Sequence, residues 1–178
     1  MLNEKVCFVA ISGSLRKASY NSAVLNTLVK ISPEHIDISI ADISELPLFN
    51  PDIEDELIPS LVNLKSALSN CSGLIISSPE YAHGISGPMK NTLDWLVSGS
   101  EFIDLPIMLI NTSPRAHHAV DALKEVLVTM SGKLIDNAFV NIPLLGTVLE
   151  KERIAENQVH YDLLHQGLNT FYKQVLMG

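Results

Sequence analysis

Three runs in this chain are apolar almost without interruption: Val6-Cys-Phe-Val-Ala-Ile11, Gly73-Leu-Ile-Ile-Ser77 and Leu105-Pro-Ile-Met-Leu-Ile110. Their length and β-branched content suit strands. A strand without a polar face has to be covered on both sides, and a parallel sheet flanked by helices meets that condition. The segments between these runs supply the helices. Val24, Leu25, Leu28 and Val29 recur at helical spacing within residues 22–30, as do Leu61, Leu64 and Leu68 after Pro59. Pro88 opens a third helix that runs to Leu96 and closes at Ser98-Gly99. Residues 116–130 read as a fourth, with Val120, Leu123 and Leu127 on one side and Gly132 as its stop, and residues 150–176 as the last. Two more strands complete the pattern. Residues 35–40 alternate with period two, as expected near a sheet edge, and residues 134–142 end at Pro143 and Gly146. The expectation is an α/β chain with five parallel strands, in which residues 42–56 form an extended loop.

Composition narrows the partners. At 178 residues and 47% hydrophobic content, residues 1–178 fit one domain with a sizeable core. Lys and Arg number 12 against 20 Asp and Glu, giving a net charge of −8. Such a surface tells against nucleic acid and anionic membranes, whose binding rests on neutralised phosphates. The start of the chain lacks the basic stretch and cleavage site of a signal peptide, and no apolar run has the length to span a bilayer. Cys7 and Cys71 have no metal-ligand or CxxC spacing and read as buried, reduced thiols, so the expected location is cytoplasmic.

In parallel sheets of this kind ligands sit outside the carboxyl ends of the strands, where strand order reverses. That places a site among the loops 13–21, 79–87 and 111–117, all rich in Ser, Gly, Pro or His. The first loop, Gly13-Ser-Leu-Arg-Lys-Ala-Ser-Tyr-Asn21, runs from a strand into a helix N-terminus, where free N–H groups and the helix dipole favour an anion. Ser14, Ser19, Asn21 and Ser22 add short donors, and Arg16 adds a fork suited to phosphate oxygens. A capped helix with Arg16 in solvent would explain one of these residues but not their concentration. Gly13 is the loop's only glycine, so there is no GxGxxG for a pyrophosphate, and no GxxxxGK[ST] occurs anywhere. A single terminal phosphate, on a mononucleotide or a sugar, fits better.

The second loop continues as Ser78-Pro-Glu-Tyr-Ala-His-Gly-Ile-Ser-Gly-Pro-Met-Lys-Asn-Thr-Leu-Asp-Trp95. Pro79 and Gly84 suit a tight turn that presents backbone groups to a flat polar ring edge, with Tyr81 and His83 as walls. Taken together, the two loops resemble the NADPH-dependent FMN reductase family of flavodoxin-like quinone, chromate and azo-compound reductases. The resemblance rests on Gly-Ser-Leu-Arg-Lys-x-Ser-x-Asn at 13–21, Pro-Glu-Tyr-x-His at 79–83 and Lys-Asn-x-x-Asp-Trp at 90–95, and extends from about Val6 to Val140.

This resemblance implies a flavodoxin-like three-layer sandwich with a five-stranded parallel sheet in the order 2-1-3-4-5. It implies that Ser14, Arg16, Ser19 and Asn21, with Ser22, hold the phosphate of FMN. It implies too that Pro79, Glu80, Tyr81 and Ala82 line the isoalloxazine edge, and that His83 and Gly84 close the loop. Ala82 stands where many members have Asn, and Thr112-Ser-Pro-Arg-Ala116 replaces a common Gly-Gly step. Ser113 and Arg115 still lie where they would approach the ring, although Arg115 reads better as a surface residue at a helix start. NADPH or NADH would reduce the flavin, and a quinone, free flavin, chromate or azo compound would take the electrons at the same open face, in ping-pong turnover. No side chain is assigned a catalytic role and no metal is expected.

The adjacent His117 and His118 point about 100° apart in ideal helix geometry and read as a solvated helix start. Lys90, Asp94 and Trp95 belong, by the resemblance, to a self-association surface, so a homodimer or homotetramer is expected. Trp95 packed in the core is the competing reading. Two rival functions share the fold: a flavodoxin-type electron carrier, and a flavin-free regulatory or binding protein.

Overall fold

The structure is a computed structural model that describes residues 4–144 and 151–178. Its main sheet has the order β2-β1-β3-β6, formed by β1 (Val6–Ser12), β2 (Ile36–Ala41), β3 (Gly73–Ser77) and β6 (Pro106–Asn111). All of its pairings are parallel. The next position is shared by two fragments, β7 (Lys133–Leu134) and β8 (Val140–Asn141), each parallel to β6. This is the expected order 2-1-3-4-5, with the fifth strand in two pieces. The interruption is the 3₁₀ turn Asp136–Ala138, which buries Ala138 where a continuous strand was expected. Residues β4 (Glu80–Tyr81) and β5 (Gly84–Ile85) make a separate antiparallel hairpin.

Among the described residues, five α-helices cover the sheet: α1 (Tyr20–Ile31), α2 (Pro59–Ser69), α3 (Gly87–Leu96), α4 (His117–Thr129) and α5 (Gln158–Leu176). Each face of the sheet owes its cover to the alternation of side chains along the strands. Phe8 and Ala10 face α1 and α5, packing with Val24, Leu25, Leu28, Leu164, Leu168 and Phe171. Val9 and Ile11 face the other way, with Leu61, Leu64 and Leu68 of α2, Met89, Leu93 and Trp95 of α3, and Leu123 and Leu127 of α4. The expected three layers follow. β2 sits at the edge with alternating buried and exposed residues, as its period-two pattern required.

Several details differ from the expectations. Trp95 is wholly buried, and its indole N–H donates to the Pro47 carbonyl at 2.7 Å, so this ring belongs to the core. Asn91 donates to the same carbonyl and accepts the Phe49 N–H, so α3 clamps the loop that precedes α2. Lys90 and Asp94 pair with each other on the outside of α3. The stop of α4 is Ser131, in left-handed backbone at φ 67°, rather than Gly132. The Gly132 N–H bonds Leu127 O and the Ser131 N–H bonds Val128 O, the paired closure of a Schellman motif. A Cβ at Gly132 would lie 2.6 Å from Ile107 Cδ1 and 3.0 Å from the Leu127 carbonyl, so the glycine lets this helix end pack closely against β6. A 3₁₀ turn at Lys151–Glu156 precedes α5, which Asn157 caps, so the last helix starts later than expected. Gly146 and Glu150 lie outside the described residues. Cys7 and Cys71 are free and only half-buried, and burial pushes the Cys71 thiol above its ordinary value. Among the described residues, no helix is long and apolar enough to cross a membrane.

Candidate functional site

The carboxyl ends of β1, β3 and β6 carry the three loops singled out in the sequence, and they meet in one cleft of about 270 Å³. Its lining includes Ser14, Arg16, Ser19 and Asn21 from the first loop, Pro79, Glu80 and Tyr81 from the second, and Ser113 from the third. Ser22, Ala82, His83 and Gly84 are not part of that lining.

The first loop is shaped by its own hydroxyls. Ser19 is the N-cap of α1, and its Oγ accepts the N–H groups of Asn21 and Ser22 at 3.2 and 3.4 Å. With that oxygen used as acceptor, its proton remains to be donated. Ser22 turns away from the cleft and braces the loop from behind, bonding Ser12 Oγ at 2.9 Å and the Ser14 carbonyl at 3.4 Å. Gly13 seats the loop against the second one. Its N–H donates to Ser77 O, and its carbonyl accepts from Ser86 Oγ at 2.6 Å. The first turn of α1 holds no acidic residue, and none occurs between Gly13 and Ser22, so the loop itself brings no carboxylate to its donors.

The second loop is a hairpin whose central residues, Ala82 and His83, both have left-handed backbone at φ 50° and 59°. A two-residue turn of this kind needs positive φ at both positions, which is why Asn and Gly usually occupy them. The expected pivot, Gly84, does not take that conformation; it pairs with Tyr81 as part of β5. Tyr81 stays half exposed at the cleft.

Glu80 holds this hairpin to the helix beyond the third loop. One carboxylate oxygen accepts the Ala119 N–H at 2.9 Å and the other meets His83 Nδ1 at 3.2 Å. The Ala119 hydrogen bond, opposed by desolvation and assisted by His83 and the nearby His118, holds the Glu80 carboxyl below its ordinary value. The rings of His83 and His118 meet edge to face at 4.7 Å, and those of His117 and His118 are 4.1 Å apart. The expected divergence of His117 and His118 therefore does not hold: in the first turn of α4 the two rings fold together. Among the described residues, no group of three or more His, Cys, Asp and Glu is placed to hold a metal ion.

In the third loop, Asn111 Oδ1 accepts the Ser113 N–H, and Ser113 Oγ accepts the N–H of the exposed Arg115. Sequence reasoning missed Ala18, Tyr20 and Thr112 as cleft residues, and Ser77 and Ser86 as their support. Both Ser77 and Thr112 bond the side chain of Asn21. These partners lie 56 and 91 residues from Asn21, so no local pattern could have joined them.

Comparison with known proteins adds four findings. The family model described as NADPH-dependent FMN reductase matches residues 7–144. A quinone reductase of Escherichia coli is 35% identical in an alignment of 119 residues that covers 63% of this chain and 62% of that protein. The matched stretch thus spans less than two thirds of that relative's length. A probable NADPH:quinone oxidoreductase of rice is 35% identical across 95% of this chain and 87% of its own. Among solved structures, the NAD(P)H:(acceptor) oxidoreductase flavoenzyme FerB of Paracoccus denitrificans has the same fold. Its TM-score is 0.78 at 20% identity, covering 97% of this chain and 98% of that one.

Proposed function

The chain belongs to the NADPH-dependent FMN reductase family, and from that membership we propose that it is an FMN-dependent oxidoreductase, taking electrons from NAD(P)H and passing them to a small acceptor. Quinones are the first acceptors to expect, since the E. coli and rice relatives bear that substrate in their names. Free flavin, chromate and azo compounds are further candidates.

One observation carries this reading: the phosphate-suited donors of residues 13–21 and the Pro79–Glu80–Tyr81 edge line the same cleft. The residues present fit FMN. Ser14, Arg16, Ser19 and Asn21 would hold its phosphate with donors and one positive charge, at a helix N-terminus free of carboxylates. Pro79, Glu80 and Tyr81 would meet the ring edge, mainly through backbone, with Ser113 across the cleft. Ser22, Ala82, His83 and Gly84 support these groups from outside it.

Bound FMN would supply the two-electron chemistry, and the protein would supply binding, orientation and electrostatics. Both oxygens of Glu80 are committed to Ala119 and His83, so this carboxylate holds the hairpin in place and is not a proton carrier. No side chain is assigned a catalytic role. With one open cleft for donor and acceptor, turnover is ping-pong. The chain would act as a single FMN-binding domain, in the cytoplasm, as a homodimer or homotetramer.

Titrating FMN into the protein and following the loss of flavin fluorescence tests this reading. Saturable binding is expected, weakened about tenfold or more by Arg16→Ala, as for loss of a charge-assisted hydrogen bond. Fluorescence that does not saturate would contradict it.

A further inference from the structure

We propose that Ser77 and Thr112 are positioning residues that decide which end of the Asn21 side-chain amide faces the cleft. They would thereby set the preference of the site for a phosphate-bearing flavin over an unphosphorylated one. The proposal rests on the reading of residues 13–21 as the phosphate site.

An Asn amide has two ends of nearly equal shape and opposite polarity. Its NH₂ end binds an anion, whereas its carbonyl end repels one. A cleft that uses Asn against phosphate must therefore fix the rotation of the amide. Here the Ser77 hydroxyl donates to Asn21 Oδ1 at 2.9 Å, and the Thr112 hydroxyl donates to the same oxygen at 3.2 Å. These two bonds use both lone pairs of the carbonyl oxygen. The three side chains are buried, with Ser77 wholly enclosed and Asn21 only 6% exposed. Neither hydroxyl has another acceptor among the described residues, so turning the amide over would strand two buried protons. Asn21 itself lines the cleft, and its amide nitrogen has no protein partner among the described residues. The donor end is thus left for a ligand.

The two hydroxyls come from separate places. Ser77 ends β3 and Thr112 directly follows β6, so two strands hold one amide at the start of α1. The same bonds also tie the helix to the sheet. For that reason stability alone does not distinguish positioning from packing, whereas ligand preference does.

The test compares dissociation constants for FMN and riboflavin, measured by flavin fluorescence on the full chain, with a thermal melt of each variant. The wild-type protein is expected to bind FMN far more tightly than riboflavin. Thr112→Val and Ser77→Ala should each lower the riboflavin-to-FMN ratio of dissociation constants about three- to tenfold, the effect of one hydrogen bond. Thr112→Ser, which restores the hydroxyl, should recover it. Asn21→Asp should lower the ratio by more than tenfold, because its second oxygen would face the phosphate.

Unchanged ratios in Thr112→Val and Ser77→Ala, beside a strong wild-type preference for FMN, would overturn the proposal and leave the phosphate site intact. An Asn21→Asp ratio equal to wild type would overturn it as well, since the acceptor end would then be the one facing the ligand. A wild-type protein that binds both flavins equally would remove the phosphate site and the proposal together. If Thr112→Val fails to fold, Ser77→Ala and Asn21→Asp still decide.

Discussion

The carboxylate of Glu80 caps a helix to which it does not belong, accepting the backbone N–H of Ala119 at 2.9 Å in the first turn of α4. The N-cap position of that helix is Ala116, which offers no side-chain acceptor. Glu80 supplies the missing acceptor from 39 residues away and brings negative charge to the positive end of the helix dipole. The hairpin of β4 and β5 and the third loop are thereby held as one unit.

Replacing Glu80 with Gln should therefore destabilise the protein near neutral pH, and the effect should depend on acid. The folded-state carboxyl lies below its ordinary value of 4.5, so its ionised form is favoured by folding. That stabilisation is fully present above the ordinary value and is lost as pH falls through the lower folded value. Melting temperatures of wild type and Glu80→Gln, measured as a function of pH, should differ by a constant amount above about pH 5 and converge below it. A gap that persists undiminished in strong acid would show that the charge is not the cause.

Gly13 is where two loops touch. A Cβ there would lie 2.3 Å from Ser78 Oγ, 2.8 Å from Ser78 Cβ and 2.9 Å from Ser86 Oγ. Gly13→Ala should cost about 1–3 kcal/mol of stability through overpacking, read from urea unfolding, and should weaken FMN binding by parting the loops. Wild-type stability and binding in this variant would mean that the Ser78 and Ser86 side chains give way without parting the loops.

Ala82 is held at φ 50°, in a turn position that Asn tolerates better than other L-residues. Ala82→Asn should stabilise the protein by about 0.5–1 kcal/mol, and Ala82→Val should destabilise it by about 1–2 kcal/mol. Urea unfolding of the two variants checks the sign, and equal midpoints would mean that the turn is not strained.

Much of this was legible in the residues because the controlling forces are local and periodic. Apolar runs without a polar face required cover on both sides, and β1, β3 and β6 are the buried centre of the sheet. The loops at their carboxyl ends share the cleft for the same topological reason. Other features depend on partners remote in sequence. Nothing near Asn21 announces Ser77 or Thr112, and nothing near Ala119 announces Glu80. The Ala82–His83 turn and the Ser131 helix stop are not legible in the sequence because left-handed backbone falls there on residues that do not usually adopt it. The break at Asp136–Ala138 leaves no mark in the sequence pattern because apolar residues flank it on both sides.

Whether this cleft binds FMN and passes electrons from NAD(P)H to a small acceptor is decided by the absorption spectrum of the FMN-loaded protein under nitrogen. The flavin bands should bleach on adding NADPH or NADH and return on adding a quinone. Bands that persist in the presence of both nucleotides would contradict it and point to an electron carrier, and a protein that takes up no FMN would contradict it altogether.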